Sequence, residues 1–161
     1  MKYILLLLCA TITYAQNETP KRFIAAGLGF QSYENQKPAG WMGVCNQVET
    51  KSYLCAVTDY SDQTSSVRAG IERIIWQYRN LTMTMKADAG AATSVSGGVG
   101  GSYGAGGTLV YKIGKVVNVP NFYLVGSASW LHSNVVEGAN LNRLFSFGDK
   151  TTIRIGFMRS F

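Results

Sequence analysis

The last twelve residues, Lys150 to Phe161, read KTTIRIGFMRSF and show the pattern from which the fold is predicted. Apolar residues recur along it at alternate positions, and mostly polar residues fall between them: Ile153, Ile155, Phe157 and Phe161 against Thr152, Arg154, Met158 and Ser160. A period of two is typical of a β-strand with one apolar face. The segment therefore predicts an amphipathic strand whose last residue is aromatic.

The first fifteen residues have the order of a secretory signal peptide. Lys2 supplies a positive charge, an apolar run extends from Tyr3 to Ala10, and the small residue Ala15 follows a short polar segment. This order predicts cleavage after Ala15. Residues 1–15 are thus expected to be removed, which leaves residues 16–161 as a single domain.

Composition narrows the classes of function. The chain carries 15 Lys and Arg against 9 Asp and Glu, and the basic residues are scattered, so binding to nucleic acid is not expected. No later apolar run approaches the roughly 20 residues of a membrane helix, although alternating strands escape that criterion. The sequence shows no phosphate-binding glycine loop, metal-ligand spacing or paired carboxylates, so neither a cofactor nor a metal is predicted.

Seven segments upstream repeat the strand pattern. Alternation is strictest from Leu81 to Ala91, about the length that a tilted strand needs to cross a bilayer. In the fourth segment Ile74 and Trp76 break the alternation, which indicates a β-bulge or an aromatic belt. A helix over Val67–Tyr78 is the alternative there, but β-branched and aromatic residues favour a strand. The eight predicted strands are Arg22–Tyr33, Ala39–Gln47, Ser52–Ser61, Ser65–Arg79, Leu81–Ala91, Tyr103–Ile113, Phe122–Trp130 and Lys150–Phe161.

The even-numbered connections between these strands are shorter than the later odd-numbered ones. The second, fourth and sixth are short to medium, at Val48–Lys51, Asn80 and Gly114–Asn121. The fifth, Ser94–Ser102, is rich in glycine, and the seventh, Ser133–Asp149, is the longest. Short turns on one side and longer loops on the other are typical of membrane barrels. The predicted fold is all-β: an eight-stranded antiparallel up-and-down transmembrane β-barrel.

Strand number, alternation, aromatic strand ends and the final Phe161 together resemble the small bacterial outer-membrane barrels of the OmpX or OmpA-transmembrane-domain type. The resemblance covers residues 16–161 and implies residence in the outer membrane with a periplasmic C-terminus. It also implies that the barrel-insertion machinery reads Gly156, Phe157 and Phe161. Arg159 departs from the family pattern, which usually has an apolar residue there, although its stem can lie along lipid while its charge reaches the interface.

Cys45 and Cys55 are placed symmetrically about Thr50, as residues facing each other across a hairpin would be. In an exported chain, pairing as a structural disulfide is the expected state. A reactive or metal-binding pair is the alternative, but no His or further Cys lies nearby in the sequence.

Charged residues on the polar faces of the strands predict a network inside the barrel. A hairpin turning at Asn80 places Glu72 across from Lys86 as an opposite-charge pair. The interior of eight strands is just wide enough for side chains to fill, so paired charges are expected to plug the lumen without a continuous channel. The predicted members are Arg68, Glu72, Lys86, Asp88, Lys112 and Arg154.

His132 is the only histidine and is followed by Ser133 and Asn134. Lipid A deacylase barrels use a His-x-Ser-Asn motif with a downstream Glu, but here Ser133 directly follows His132, and Glu137 comes only five residues after it. Adjacent strand residues face opposite sides, which opposes the contact that Ser–His catalysis needs. No catalytic residue is assigned, and His132 is placed at the external interface. A lipid A-modifying acyl hydrolase remains an alternative.

The function expected is a structural or surface-interaction (adhesion-like) role, with residues 94–102 and 133–149 contacting an external ligand or host surface. The expected partners are outer-membrane lipids and the insertion machinery, and the protein is expected to be a monomer. Seven basic residues are expected to ring the periplasmic end, near anionic headgroups: Lys21, Arg22, Lys51, Arg79, Lys112, Lys115 and Arg159. The alternative is a soluble lipocalin-like barrel that binds an apolar ligand, with Met83 and Met85 inside and Lys86 and Arg154 facing water.

Overall fold

The computed structural model describes residues 21–31, 38–60, 64–94, 97–136 and 144–161. Eight strands form one closed barrel in which each strand pairs with its neighbours in sequence and β1 pairs with β8. Every pair is antiparallel. The predicted fold class is therefore confirmed. The strands are β1 (Arg22–Gln31), β2 (Pro38–Glu49), β3 (Ser52–Tyr60), β4 (Thr64–Tyr78), β5 (Leu81–Ser94), β6 (Val99–Lys112), β7 (Phe122–Val136) and β8 (Leu144–Ser160).

One helical turn, α1 (Gly114–Val117), lies between β6 and β7. Within the described residues, no helix has both the length and the apolar character needed to cross a membrane. The predicted signal peptide, residues 1–15, lies outside the described part of the chain.

The side chains sort by strand parity into an outer face and a lumen. On the outer face Leu28, Met85 and Ile155 are more than half exposed, and each of the eight strands contributes a large exposed apolar residue to this face. In the lumen Arg68 and Arg154 are each only 1% exposed. The apolar faces predicted from alternation thus point outward and the charged faces point inward.

β4 is a strand throughout, so the helical alternative for residues 67–78 is wrong. It pairs with β3 on one side and β5 on the other, and its register against β5 shifts between Ile74 and Trp76. The break in alternation that the sequence shows there is therefore a β-bulge. Trp76 and Tyr78, just beyond it, stack with their ring centroids 6.1 Å apart.

The predicted glycine-rich loop at 94–102 is wrong at its first residue, which ends β5, and over its last four residues. β6 begins at Val99, and Gly100 and Gly101 pair with Ala92 and Ala91 of β5. Glycine carries no side chain that can display a period of two, yet its backbone pairs normally. The alternation signal is therefore lost where the strand itself continues.

The predicted loop 133–149 is also wrong at both of its ends. β7 continues to Val136 and β8 begins at Leu144, and these two residues pair with each other. The apolar residues at 144–147 are therefore the first residues of β8 rather than an island in a loop. Residues 137–143, which connect the two strands, lie outside the described residues.

The two ends of the barrel differ in their connections. The turn end carries Thr50–Lys51, Arg79–Asn80, the segment 113–121 and both described chain ends. The opposite end, called the loop end here, receives the β1–β2, β3–β4, β5–β6 and β7–β8 connections. At the turn end the backbone N–H of Phe161 donates to the carbonyl oxygen of Arg22 at 2.9 Å, which extends the β1–β8 seam to the last residue.

Candidate functional site

The barrel interior is the candidate site, and it has two parts. Toward the loop end lies a cluster of buried charges, called the ionic layer here: Asp59, Arg68, Asp88 and Arg154. Toward the turn end lies a cavity of about 140 Å³, called the chamber here, which is lined by residues from all eight strands.

Asp59 of β3 is the centre of the ionic layer. Arg154 of β8 donates two hydrogen bonds to it, from Nε to Oδ1 at 2.8 Å and from Nη2 to Oδ2 at 2.9 Å. This two-point geometry is the strong form of an arginine–carboxylate contact. Because β3 and β8 are not neighbours in the barrel, the contact spans the lumen.

Arg68 of β4 links Asp88 to Asp59. Its Nη2 donates to Asp59, and its Nε donates to Asp88 Oδ1 at 2.7 Å. Two serine hydroxyls, of Ser66 and Ser129, accept further hydrogen bonds from Arg68 and Arg154. Both arginines are thus held by ion pairs and hydrogen bonds within the lumen.

The charges of the ionic layer sum to zero, with two guanidinium groups against two carboxylates. Removing ions from water costs several kcal/mol each, and only close pairing with further hydrogen bonds offsets that cost. All four side chains meet this condition through the contacts described above. The layer is therefore a fully paired group that bridges opposite walls of the barrel.

The six residues predicted for a lumen network do not all meet. Arg68, Asp88 and Arg154 are in the ionic layer. Glu72 and Lys86 are opposite each other in the β4–β5 register, as predicted, but they line the chamber, where Glu72 accepts a hydrogen bond from Thr84 Oγ1. Lys112 has the inward parity of β6 but is exposed at the last residue of that strand, outside the ionic layer.

Asp59 was not predicted, although it accepts hydrogen bonds from both arginines of the ionic layer. One signal existed in the sequence. Asp59 lies four residues after Cys55, and therefore on the same face of β3 as the cysteine. Once the disulfide is known to face the lumen, Asp59 must face it as well.

The chamber is lined mainly by apolar and aromatic groups. Ala25, Val110, Val125 and Met158 form a buried cluster, and Phe23, Trp41 and Tyr123 pack against it. Its polar end, adjoining the ionic layer, is formed by side chains that include Thr84, Glu72 and Lys86. At the opposite, turn-end side it reaches the exposed Gln77.

Trp41 is the one chamber aromatic with a buried, unsatisfied donor. Its Nε1 is buried, and no acceptor among the described residues lies within hydrogen-bond reach of it. Buried indole N–H groups usually have a partner. This donor is covered by protein atoms and has no hydrogen-bond partner among the described residues.

Cys45 and Cys55 are joined by a disulfide, with Cα atoms 4.1 Å apart, and they are directly opposite in the β2–β3 register. The predicted pairing is thus confirmed. The cystine packs beside Tyr53, Phe23 and Ile74 in the chamber wall. Its sulfurs and the Glu72 carboxylate lie within 4.8 Å of one another, but the disulfide leaves no thiolate to bind a metal.

His132 lies on the outer face of β7. Its ring contacts two aromatic rings of that face, Tyr103 at 5.0 Å and Trp130 at 6.1 Å between centroids. The side chain is therefore part of an outward-facing aromatic cluster and does not enter the lumen.

Of the three residues predicted as an insertion signal, Gly156 and Phe157 lie in the turn-end part of β8, and Phe161 directly follows its last residue. Gly156 faces Gly27 across the seam, where a Cβ on Gly156 would be 2.2 Å from the carbonyl oxygen of Ala26. Phe157 points outward and its ring stacks on that of Phe122, with the two centroids 5.4 Å apart. The guanidinium of Arg159 lies over the ring of Phe161, with Cζ 5.5 Å from the ring centroid.

The seven basic residues predicted to form a ring are all at the turn end. Six of them are exposed and Arg159 is half-buried. The exposed members are Lys21, Arg22, Lys51, Arg79, Lys112 and Lys115.

Among solved structures, one described as "De novo design of transmembrane beta-barrels" is similar to this chain. The TM-score is 0.56 at 14% sequence identity, over 91% of this chain and 100% of that chain. At this identity the likeness concerns the fold alone. No protein-family model matches the sequence, and no curated protein matches it. The chain thus has the fold of transmembrane barrels.

Proposed function

We propose that the protein is an integral outer-membrane β-barrel with a sealed lumen and a structural or surface-interaction role. The observation that carries this proposal is the inverted placement of side chains. Leu28, Met85 and Ile155 are largely exposed, whereas Arg68 and Arg154 are almost fully buried. An apolar outer face around a polar interior is what lipid requires of a barrel.

The same placement argues against the soluble alternative. A lipocalin-like barrel would turn Met83 and Met85 inward and Arg154 toward water. Here Met83 is 39% exposed, Met85 58% and Arg154 1%. A soluble monomer rarely exposes a contiguous apolar surface that extends around its whole circumference.

The ionic layer supports a closed lumen. Side chains from β3, β4, β5 and β8 meet there in a charge-neutral group, and Arg154 reaches Asp59 from a non-neighbouring strand. Opening a path would require breaking buried ion pairs, which is costly. We therefore infer a scaffold without a conducting pore.

We further infer that the loop end faces outward and that the turn end faces the periplasm. The exposed basic residues of the turn end, such as Lys51 and Arg79, fit contact with anionic lipid headgroups. Partners would be outer-membrane lipids, the insertion machinery and whatever the loop end contacts outside the cell. The protein would act as a monomer, after removal of the signal peptide.

We infer no enzymatic role. The lipid A hydrolase alternative requires His132 to act as a base for a serine, but its ring is held between Tyr103 and Trp130 on the outer face. Replacing His132 with Ala is expected to leave the acylation of lipid A in expressing cells unchanged, as measured by mass spectrometry. Reduced deacylation in that variant would contradict the inference.

Fractionation of expressing cells tests the location. The folded protein is expected in the outer membrane, with a gel mobility that changes on heating. Recovery in the soluble periplasmic fraction without detergent would contradict the proposal. Purified protein in lipid vesicles tests the seal: entrapped small solutes should be retained, and rapid leakage would exclude a closed lumen.

Two insertions of the same epitope tag test the orientation. A tag within residues 137–143, at the loop end, should be detected by antibody on intact cells. The matched control carries the tag after Asn118 at the turn end and should be detected only after permeabilisation. The reverse pattern would overturn the assignment of the two ends.

A further inference from the structure

We propose that the turn end carries a binding site for one phospholipid whose headgroup combines a phosphate with a primary ammonium, as in phosphatidylethanolamine. The site is an open pocket between the β2–β3 turn and β4, called the notch here, and it is lined by Glu49, Thr50, Lys51, Ser52 and Arg73. Such a site rests on the membrane location proposed above and adds to it one class of lipid and one position on the barrel.

The notch exists because two neighbouring hairpins of the turn end extend to different lengths. Ser52, the first residue of β3, pairs with Arg73 of β4. The backbone N–H of Ile74 donates to the carbonyl oxygen of Lys51 at 2.8 Å, so the β2–β3 turn is level with this part of β4. β4 itself continues to Tyr78, about 13 Å beyond Ile74 along the strand. The β4–β5 hairpin therefore extends well past the β2–β3 hairpin and forms one wall of the notch.

Aromatic side chains on β4 show how deep the notch lies. Trp76 and Tyr78 are 47% and 56% exposed on the outer face, and Trp and Tyr are enriched where a bilayer meets water. Arg73 is exposed on the same face, between these rings and the exposed apolar side chain of Ile71. The notch is therefore bordered by aromatic rings on its turn-end side and by apolar surface on its loop-end side.

Charged groups at this depth favour a headgroup over acyl chains as their neighbour. Charged side chains on the lipid-facing side of a barrel are costly, and the cost falls as they approach the interface. Glu49, Lys51 and Arg73 are all exposed, so none of the three is withdrawn into the lumen. A headgroup drawn into the notch can pair with these groups, whereas hydrocarbon chains cannot.

The signs of the charges select the headgroup. Arg73 and Lys51 supply two positive charges, and phosphate oxygens accept charge-assisted hydrogen bonds from both kinds of group. Glu49, the last residue of β2, adds one negative charge. A primary ammonium can donate hydrogen bonds to this carboxylate, whereas the quaternary ammonium of choline has no N–H to donate. A glycerol headgroup carries no positive charge at all, so a phosphate joined to a primary ammonium is the complementary pattern.

Quenching of tryptophan fluorescence by brominated lipids tests the site in reconstituted bilayers. Of the three tryptophans, Trp76 is on the outer face beside the notch, Trp130 is on the outer face toward the loop end, and Trp41 lines the lumen. Trp130→Phe therefore keeps the reporter at the notch, and Trp76→Phe keeps a matched reporter away from it. In each variant, quenching is compared between brominated phosphatidylethanolamine, phosphatidylcholine and phosphatidylglycerol at equal mole fraction.

At Trp76 we expect phosphatidylethanolamine to be favoured over the other two lipids by at least about threefold in relative affinity, the scale of partly exposed ion pairs. At Trp130 we expect no preference. Arg73→Gln should abolish the preference at Trp76. The matched control Lys115→Gln removes the same charge from α1, between β6 and β7, and should keep the preference. Glu49→Gln should shift the preference to phosphatidylglycerol, because the notch then carries two positive charges and no carboxylate.

Equal quenching of Trp76 by the three lipids, with the notch intact, would overturn the proposal, and so would an unchanged preference in Arg73→Gln. A preference of the intact notch for phosphatidylglycerol would overturn the assignment of a phosphate–ammonium headgroup. In these cases both reporters would still be quenched by brominated lipid, so the membrane location would stand. Absence of quenching at Trp76 and Trp130 by all three lipids would contradict the membrane location and the lipid site together.

Discussion

The ionic layer and the chamber are built on the same eight strands, yet different chemistry fills them. On β8, Arg154 belongs to the ionic layer, and Met158, four residues later on the same face, belongs to the chamber. On β3, Asp59 and Cys55 are separated in the same way. One end of the lumen is thus closed by directional ion pairs, and the other is lined by hydrocarbon that leaves a cavity.

This difference implies different responses to mutation. Each member of the ionic layer depends on particular partners, and removal of one leaves a buried charge unpaired. The chamber wall is held by non-directional contacts, so its response depends on volume. Substitutions in the ionic layer are therefore expected to cost more stability than substitutions in the chamber wall or at the seam.

The largest effect is expected for Asp59→Ala. This change leaves Arg154 without its carboxylate and Arg68 with only Asp88, so it should lower the free energy of unfolding by about 3–5 kcal/mol. Urea unfolding in lipid vesicles, followed by tryptophan fluorescence, measures it. The control is Asp59→Ala with Arg154→Met, which leaves one neutral pair and should recover part of the loss. If Asp59→Ala alone were as stable as the wild type, the ionic layer would not contribute to stability.

A smaller loss is expected in the chamber wall from Cys45→Ala with Cys55→Ala. Opening this ring of residues should cost about 2–3 kcal/mol in the chain-entropy model. Unfolding of the wild type in the presence of a reductant should show a similar loss, while the double variant should not respond to the reductant. Because the cystine and Asp59 share no partner, their losses should add. Stability that reduction leaves unchanged would contradict this role.

The smallest loss is expected between the two regions, at the β1–β8 seam. Gly156→Ala places a methyl group 2.2 Å from the carbonyl oxygen of Ala26, so the strands must separate locally, at a cost of about 1–3 kcal/mol. Gly126→Ala is the matched control, because its methyl group would meet nothing within 4 Å. Equal stability of the two variants in the same unfolding assay would show that the seam tolerates a side chain.

The fold was predictable because alternation is a local property. Leu81–Ala91 displays its two faces residue by residue, and β5 contains all of it. The prediction failed at Gly100 and Gly101, which have no side chain to show alternation. It also failed at residues 131–136 of β7 and 144–149 of β8, which were not assigned to strands. Pairing there depends on a partner strand, which a single segment does not reveal.

The site was predictable only in part. Alternation placed Arg68, Asp88 and Arg154 on inward faces, and the hairpin at Asn80 placed Glu72 opposite Lys86, in agreement with the structure. What sequence did not reveal is which residues meet across the lumen. Asp59 and Arg154 are brought together by barrel closure. The chamber results from the sizes of side chains on all eight strands, which no local pattern records.

The seam between β1 and β8 has a consequence for synthesis. It pairs Phe23 with Ser160, residues from the two ends of the described chain, so it forms only after β8 has been delivered. Until then β1 and β7 each present a row of unpaired N–H and C=O groups, which can template pairing with another chain. A seven-stranded intermediate would thus have two open edges, and the addition of β8 pairs both of them.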